Sequence, residues 1–356
     1  MLAVCAVMTG SVCAWGDVAI DAEHFPDEVF REYVSSDIDT NHNGRLSDEE
    51  IASVTAINVT GKNITSLQGI EYFTALTDLK CRENQLTVLD VSNNTALTEL
   101  DCSYNQLTSL DVSKNTVLQD IVCVGNQLMA LDVSNNTALY TLGCWNNQLT
   151  ALDLSNNPDL FYLYCANNQL MKLDVSNNAA LVRLYCSSNQ LTALDVSKNT
   201  ALTELDCLDN QLTALDLSNN TALTWPGYVF QHIYISSFDL TADSVYPYSI
   251  NLSSLNASLD ISKVHSLDVT SGDTHVNNYM AGETVYFASL PAQIKYDYDT
   301  QNPQWTTYMG VTVTISSDLA PAETPPSEPQ TPDTPTTPDE PDEPEEPSTP
   351  ATPSTP

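Results

Sequence analysis

Between Asp39 and Glu50 the chain reads Asp39-Thr40-Asn41-His42-Asn43-Gly44-Arg45-Leu46-Ser47-Asp48-Glu49-Glu50, with oxygen-bearing groups at alternate positions. Hard divalent cations take such oxygens, and the spacing is that of the twelve-residue EF-hand loop. The expected ligands are the side chains of Asp39, Asn41 and Asn43, the carbonyl of Arg45, Ser47 through a water, and both carboxylate oxygens of Glu50. Gly44 permits the sharp turn, and Ser47 with Glu50 forms a capping box for the helix that follows. The cation expected is Ca2+, bound with the modest affinity of extracellular sites, on the order of 10⁻⁴ M, and in a structural role, because extracellular Ca2+ rarely fluctuates enough to signal. A loop that keeps the shape without the ion is the competing reading.

A second set of reactive groups is a column of thiols, Cys81, Cys102, Cys123, Cys144, Cys165, Cys186 and Cys207, each 21 residues from the next. Their chemistry could be zinc binding, redox exchange or none. No C-x-x-C pair occurs and no histidine lies within the cysteine-bearing array, which argues against a metal. Rungs about 4.8 Å apart, with side chains pointing the same way, suit disulfide geometry poorly. The thiols are expected to be small buried hydrophobes. A parallel column, Asp90, Asp111, Asp132, Asp153, Asp174, Asp195 and Asp216, is expected to face outward, where its carboxylates either hold cations between rungs or accept hydrogen bonds from the adjoining Ser and Asn turns. The five histidines (His24, His42, His232, His265, His275) are scattered, and no G-x-S-x-G, H-E-x-x-H or phosphate-binding loop is present, so catalysis is not expected.

What positions these groups is a repeat. One unit, beginning at Leu97, reads LTELDCSYNQLTSLDVSKNTV and divides into two similar halves, LxxLxCxxNQ and LxxLDVSxNT. Leu100 and Cys102 alternate with Glu99, Asp101 and Ser103, the mark of a strand with one buried face. The asparagine after each strand (Asn84, Asn105, Asn126, Asn147, Asn168, Asn189, Asn210) is placed to bond the turning backbone of its own and neighbouring coils. An upstream stretch around Val54, Ile57, Val59, Ile64 and Leu67 lacks cysteine and reads as the first rung. The fold class is therefore a repeat solenoid with a parallel strand face, and its ends need covering.

Residues 17–53 supply one cover, an amphipathic helix around Phe25 to Val34 followed by the EF-hand-like loop. The solenoid is expected over 54–224, ending where Trp225-Pro226 breaks the period. Over 225–317 the chain is rich in Tyr, Val, Ile, Thr and Ser; alternating runs near Ile233, 248–252, 257–261, 284–288, 294–298 and 311–315 predict a small β-sandwich. Residues 318–356 read as a Pro-rich acidic stalk: from Pro326 proline recurs every third residue, one turn of polyproline II, for an extended length of roughly 95 Å. Residues 1–16 read as a secretory signal peptide cut before Asp17, although neither Lys nor Arg precedes the apolar run. No later stretch has the roughly 18 apolar residues of a membrane helix.

These repeats resemble the leucine-rich repeats of internalin-like bacterial surface proteins, in the 21-residue cysteine-ladder variety, over about half the chain. The EF-hand-like helical segment ahead of the repeats is similar to the internalins as well. The resemblance implies a right-handed solenoid and a role in attachment or recognition at the cell surface, without naming a ligand.

With 11 basic against 46 acidic residues and a net charge of -35, the chain should repel nucleic acid and anionic membranes. At the outward positions of the middle strands stand Tyr140, Trp145, Tyr162, Tyr164 and Tyr185, with Phe161 at the strand entrance. An apolar centre with a mostly acidic rim has the composition of an interface. The expectation is a secreted or cell-surface adhesion protein that binds a protein or glycan of a host or neighbouring cell through this patch. The alternative is a passive envelope component whose aromatics reflect repeat drift.

Overall fold

The structure, a computed structural model, describes residues 17–227 without a break and, beyond them, strands and single residues between 230 and 315. The expected signal peptide, the stalk and the strand expected at 257–261 lie outside the described residues. No helix among the described residues is long and apolar enough to cross a membrane.

The chain opens with strand β1 (Val18–Ala19), helix α1 (Glu28–Tyr33), one π-helical turn (Val34–Ile38), strand β2 (Arg45–Leu46) and helix α2 (Asp48–Ser53). Asp27 starts α1, its Oδ1 accepting from the amides of Val29 and Phe30 at 3.0 Å. Its Oδ2 accepts from the amide and hydroxyl of Thr65, each at 2.8 Å, tying the helix to the first coil. Phe25, Phe30 and Val34 are buried in the same core as Phe73 and Leu76 of that coil. The helical segment predicted around 25–34 is thus present, shorter as an α-helix and widened at its end into the π turn.

From β3 (Ala56–Asn58) the chain forms one parallel nine-stranded sheet in sequence order: β4 (Asp78–Lys80), β5 (Glu99–Asp101), β6 (Asp120–Val122), β7 (Thr141–Gly143), β8 (Tyr162–Tyr164), β9 (Arg183–Tyr185), β10 (Glu204–Asp206) and β11 (Trp225–Gly227). Each strand sits in register with the next, Leu100 opposite Ile121 and Leu142 opposite Leu163. The central residue of β4 through β10 points inward and is buried, as is the cysteine that follows each strand. The strand ladder runs one rung past the predicted end at 224: Trp225 pairs with Glu204 and Pro226 with Leu205. Proline is tolerated there because an edge strand asks for fewer amide donors than a central one.

Two asparagine ladders hold the coils together. In the one read from the sequence, Asn147 is typical: its Oδ1 accepts from Leu128 N at 3.0 Å, and its Nδ2 donates to Cys123 O and Cys144 O at 3.0 and 3.1 Å. The second ladder, among them Asn94, Asn115, Asn136 and Asn157, was not singled out by sequence reasoning and is fully buried. Asn136 Nδ2 donates to Val112 O at 3.1 Å and Asn115 O at 2.9 Å, joining the backs of successive coils. Buried carbonyls left by the turns are thereby paired, as an interior requires.

The thiols of the column are buried. Burial raises the pKa of every one of them, those of Cys165 and Cys207 to about 12, so the nucleophilic thiolate is absent at neutral pH. A thiol-reactive disulfide reagent should therefore leave these seven unmodified in the native protein and modify all of them in denaturant. Rapid labelling without unfolding would show that the core is open. The aspartate column faces out, and each carboxylate accepts from the amide two residues on, as Asp132 does from Ser134 and Asp153 from Ser155, both at 2.9 Å. Its carboxylates serve the turns.

Beyond the array, β12 (Phe230–Tyr234), β20 (Tyr308–Ile315), β19 (Ala292–Asp299), β15 (Val264–Ser271) and β16 (Thr274–His275) form one sheet in that order. A second contains β13 (Asp239–Leu240), β14 (Tyr248–Asn251), β18 (Thr284–Phe287) and β17 (Asn278–Ala281). The expected strands outside 257–261 are there. The long β15 was missed because its pairing with β19 shifts register between His265 and Leu267, which breaks the alternation that identifies a strand.

Candidate ligand-binding face

Strand geometry alone decides which side chains reach this face. The residues flanking the buried centre of each strand point outward, so β8 presents Tyr162 and Tyr164 and β9 presents Arg183 and Tyr185. Parallel pairing in register then sets Tyr164 beside Tyr185 and Tyr162 beside Arg183. The six aromatics read from the sequence do come together. Tyr140 stacks on Phe161 with centroids 5.0 Å apart, and Phe161 meets Tyr162 edge-on at 4.9 Å. Tyr162 stacks on Tyr164 at 6.3 Å, and Tyr164 meets Tyr185 edge-on at 5.2 Å and Trp145 at 5.9 Å. Each contact lies in the range where aromatic pairs attract beyond simple burial.

Glycine creates the seat for the tryptophan. A Cβ on Gly143 would stand 3.1 Å from Trp145 Cζ3 and 3.3 Å from Val122 Cγ1, so the indole lies down over the strand where a side chain is missing. One rung earlier, Tyr104 lies over Gly125, whose Cβ would come within 2.8 Å of Tyr104 Cδ1. Gly143→Val should therefore lift the indole into water. The expected result is a red-shifted Trp145 emission, measured as the difference from Trp145→Phe in each background, with the fold retained. An unchanged emission would place the ring elsewhere.

Polar groups frame the cluster. Arg183 Nε donates to Glu204 Oε1 at 2.9 Å, and its guanidinium lies 5.2 Å over the Tyr162 ring. The Tyr185 hydroxyl donates to Glu204 Oε2 at 2.5 Å; that bond, followed by burial and the Glu204 charge, pushes its pKa up to about 12. Burial, Tyr162 and the Asp120 carboxylate raise the Tyr140 phenol. At the far end, Arg82 lies 4.8 Å over the Tyr104 ring. Tyr104, Gly125, Gly143 and Arg82 are the parts that sequence reasoning missed, while Arg183 was placed at the rim but not over a ring. Tyr104 carries the signal least, because it occupies a left-handed turn position (φ 51) after the strand rather than a strand position.

The loop at 39–50 forms the other candidate site. Asp39 is buried, its Oδ2 accepting from Gly44 N at 2.9 Å and its Oδ1 from Asn43 N at 3.3 Å. Asn41 Oδ1 accepts from Asn43 N at 3.1 Å and Asn43 Oδ1 from Arg45 N at 2.8 Å. Glu50 is also buried; its Oε2 accepts from the Ser47 amide and hydroxyl, and its Oε1 from the Thr40 amide and hydroxyl. The Ser47 amide bond is the largest of the effects that pull its pKa down to about 2. The capping box with Ser47 is complete. β2 pairs with β1 and not with a second loop of its own kind.

Comparison with known proteins places this architecture. The LVIVD repeat family matches residues 81–106 and 161–183. Internalin J of Listeria monocytogenes is 42% identical over 70 residues, which are 20% of this chain and only 8% of that protein's length. Among solved structures, an internalin (InlF) from Listeria monocytogenes superposes with a TM-score of 0.54 at 26% identity, over 63% of this chain and 75% of that one. Internalin C2 from the same organism gives 0.55 at 22% identity, over 61% and 99%. The array is internalin-like in sequence and in fold.

Proposed function

We propose that this internalin-like repeat protein is an extracellular binding or adhesion protein that recognises a protein or glycan on a host or neighbouring cell through the strand face of its repeats. The observation that carries the reading is the continuous aromatic surface running from Tyr140 and Phe161 through Tyr162 and Tyr164 to Trp145 and Tyr185. Tyr140 is exposed and the other five are half-buried against one another; contiguous aromatics that reach solvent cost solubility, and interface hot spots are built from Trp, Tyr and Arg. The test is to present the full chain, with calcium, to arrays of surface proteins and glycans. Reproducible binders support the reading; a silent array would return the chain to the role of a passive envelope component.

Calcium is proposed to stiffen the loop ahead of the repeats. The donor set fits a hard cation: Asp39 and Glu50 are buried carboxylates, and neither has an ion pair among the described residues. Buried anions without a positive partner favour a bound cation. Asp39, Asn41, Asn43, the Arg45 carbonyl, Glu50 and a water on Ser47 would hold it. At ten times its Kd, calcium should stabilise the protein by about 1.4 kcal/mol, and Glu50→Gln should abolish that gain. Thermal melts in calcium and in chelator check it, and identical melts would remove the ion from the account. Because the folded pKa of Glu50 is depressed, its contribution is full above pH 4.5 and should fade as pH falls toward 2.

A further inference from the structure

The face that carries the aromatics also has a charge. Three cations along it are already committed: Lys80 Nζ lies 2.8 Å from Asp78, Arg82 Nε 3.0 Å from Glu83 and Arg183 Nε 2.9 Å from Glu204. Three further carboxylates, Asp101, Asp120 and Asp206, have no ion pair among the described residues and flank the aromatic cluster on both sides. Asp101 accepts from the Ser103 amide, and Asp206 accepts from the Ser187 hydroxyl and the Leu208 amide, so both carboxylates are held in place.

Three of the polar side chains beside the cluster are engaged with one another. Glu204 joins Arg183 and Tyr185, with bonds of 2.9 and 2.5 Å. The face also offers carboxylates without an ion pair among the described residues, and open aromatic faces. Two guanidinium groups of the chain itself already lie over tyrosine rings, Arg82 over Tyr104 at 4.8 Å and Arg183 over Tyr162 at 5.2 Å. The rings of Tyr140, Trp145, Tyr164 and Tyr185 have no such cation among the described residues.

We infer that the strand face takes a cationic protein partner, an arginine- and lysine-rich segment whose side chains stack on Trp145, Tyr164 and Tyr140 while Asp101, Asp120 and Asp206 meet their charge. The inference rests on the binding reading above and narrows it. Cation–π attraction is worth roughly 3- to 30-fold in affinity per contact, more when water is excluded. Arginine should exceed lysine, because its planar, weakly hydrated guanidinium stacks on aromatic faces. The chain's net charge of -35 steers the same class of partner toward the surface.

The experiment titrates the full chain with deca-arginine, deca-lysine, deca-glutamate and a neutral oligosaccharide, cellohexaose, reading Trp145 emission by difference from Trp145→Phe and binding by calorimetry. Two variants accompany it, Trp145→Ala with Tyr164→Ala, and Asp120→Asn with Asp206→Asn, each checked for an unchanged circular dichroism spectrum. The second removes only two of 46 acidic residues, so diffuse attraction to an acidic chain would not notice it. Expected are binding of deca-arginine above deca-lysine, at least a tenfold loss in either variant, and weakening of tenfold or more between 50 and 300 mM salt, on the screening expected of surface charge. Deca-arginine binding that both variants leave unchanged would overturn the inference as non-specific attraction. Cellohexaose or deca-glutamate binding that depends on the aromatics would overturn it while keeping the binding face. No ligand that depends on the aromatics would overturn both.

Discussion

Replacing Asn147 with alanine should lower the unfolding free energy of the array by about 2–4 kcal/mol, a large effect for one polar side chain. The amide of Asn147 spans two coils: it receives Leu128 N and gives to Cys123 O and Cys144 O, all within the buried interior. Alanine leaves the Leu128 N–H without that acceptor and removes one of two donors from each cysteine carbonyl, since Asn126 and Asn168 still reach them. An unpaired buried donor costs more than a hydrogen bond contributes when made. Denaturant unfolding measures the change, with Thr150→Ala at an exposed position of the same rung expected within about 0.5 kcal/mol of the parent. A loss at Asn147 no larger than the Thr150 control would mean that coil stacking rests on the leucines alone.

Removing Trp145, Tyr164 and Tyr185 together, each to alanine, should weaken a strand-face ligand by at least about 100-fold. These three rings touch in series, Trp145 to Tyr164 and Tyr164 to Tyr185. Interface energy concentrates in a few such anchors, each contributing on the order of 2 kcal/mol, so three removals exceed the 100-fold mark even when their effects overlap. The lost ring contacts should cost stability as well, on the order of 0.5–1.5 kcal/mol per pair. Melting curves for the triple variant separate that cost from the binding loss. Affinity within threefold of the parent would remove the aromatics from the site.

Much of the array could be read directly, because a fixed period makes each column a repeated experiment. The cysteines show which strand positions are buried, the asparagines of the first ladder follow from their place after each strand, and strict alternation puts Tyr162 and Tyr164 on the outside together. The second ladder has the same regularity, yet Asn115 and Asn136 lie among turn residues, where asparagine is common for its own local reasons. Only the fold shows that those turns are buried. The seats at Gly125 and Gly143 were illegible for a different reason: Gly125 reads as a turn glycine with positive φ and Gly143 as a strand glycine that something approaches closely, and only the structure says that Tyr104 lies over the first and Trp145 over the second. The extra strand at Trp225 was hidden by Pro226, which signals a break in a central strand and is acceptable at an edge.

The central claim is that the strand face is where this protein meets its partner, and differential oxidative footprinting of the full chain with and without a bound array hit tests it most directly. Hydroxyl radicals label exposed aromatic rings, so Tyr140, Trp145, Tyr162, Tyr164 and Tyr185 act as built-in reporters on one face. The expected result is protection of this group on binding, with exposed Met129 and Met171 unchanged because they lie on the half-coils that carry the aspartate column. Protection at Met129 and Met171 with the strand-face aromatics unaffected would contradict the account and move the site to the aspartate side of the solenoid.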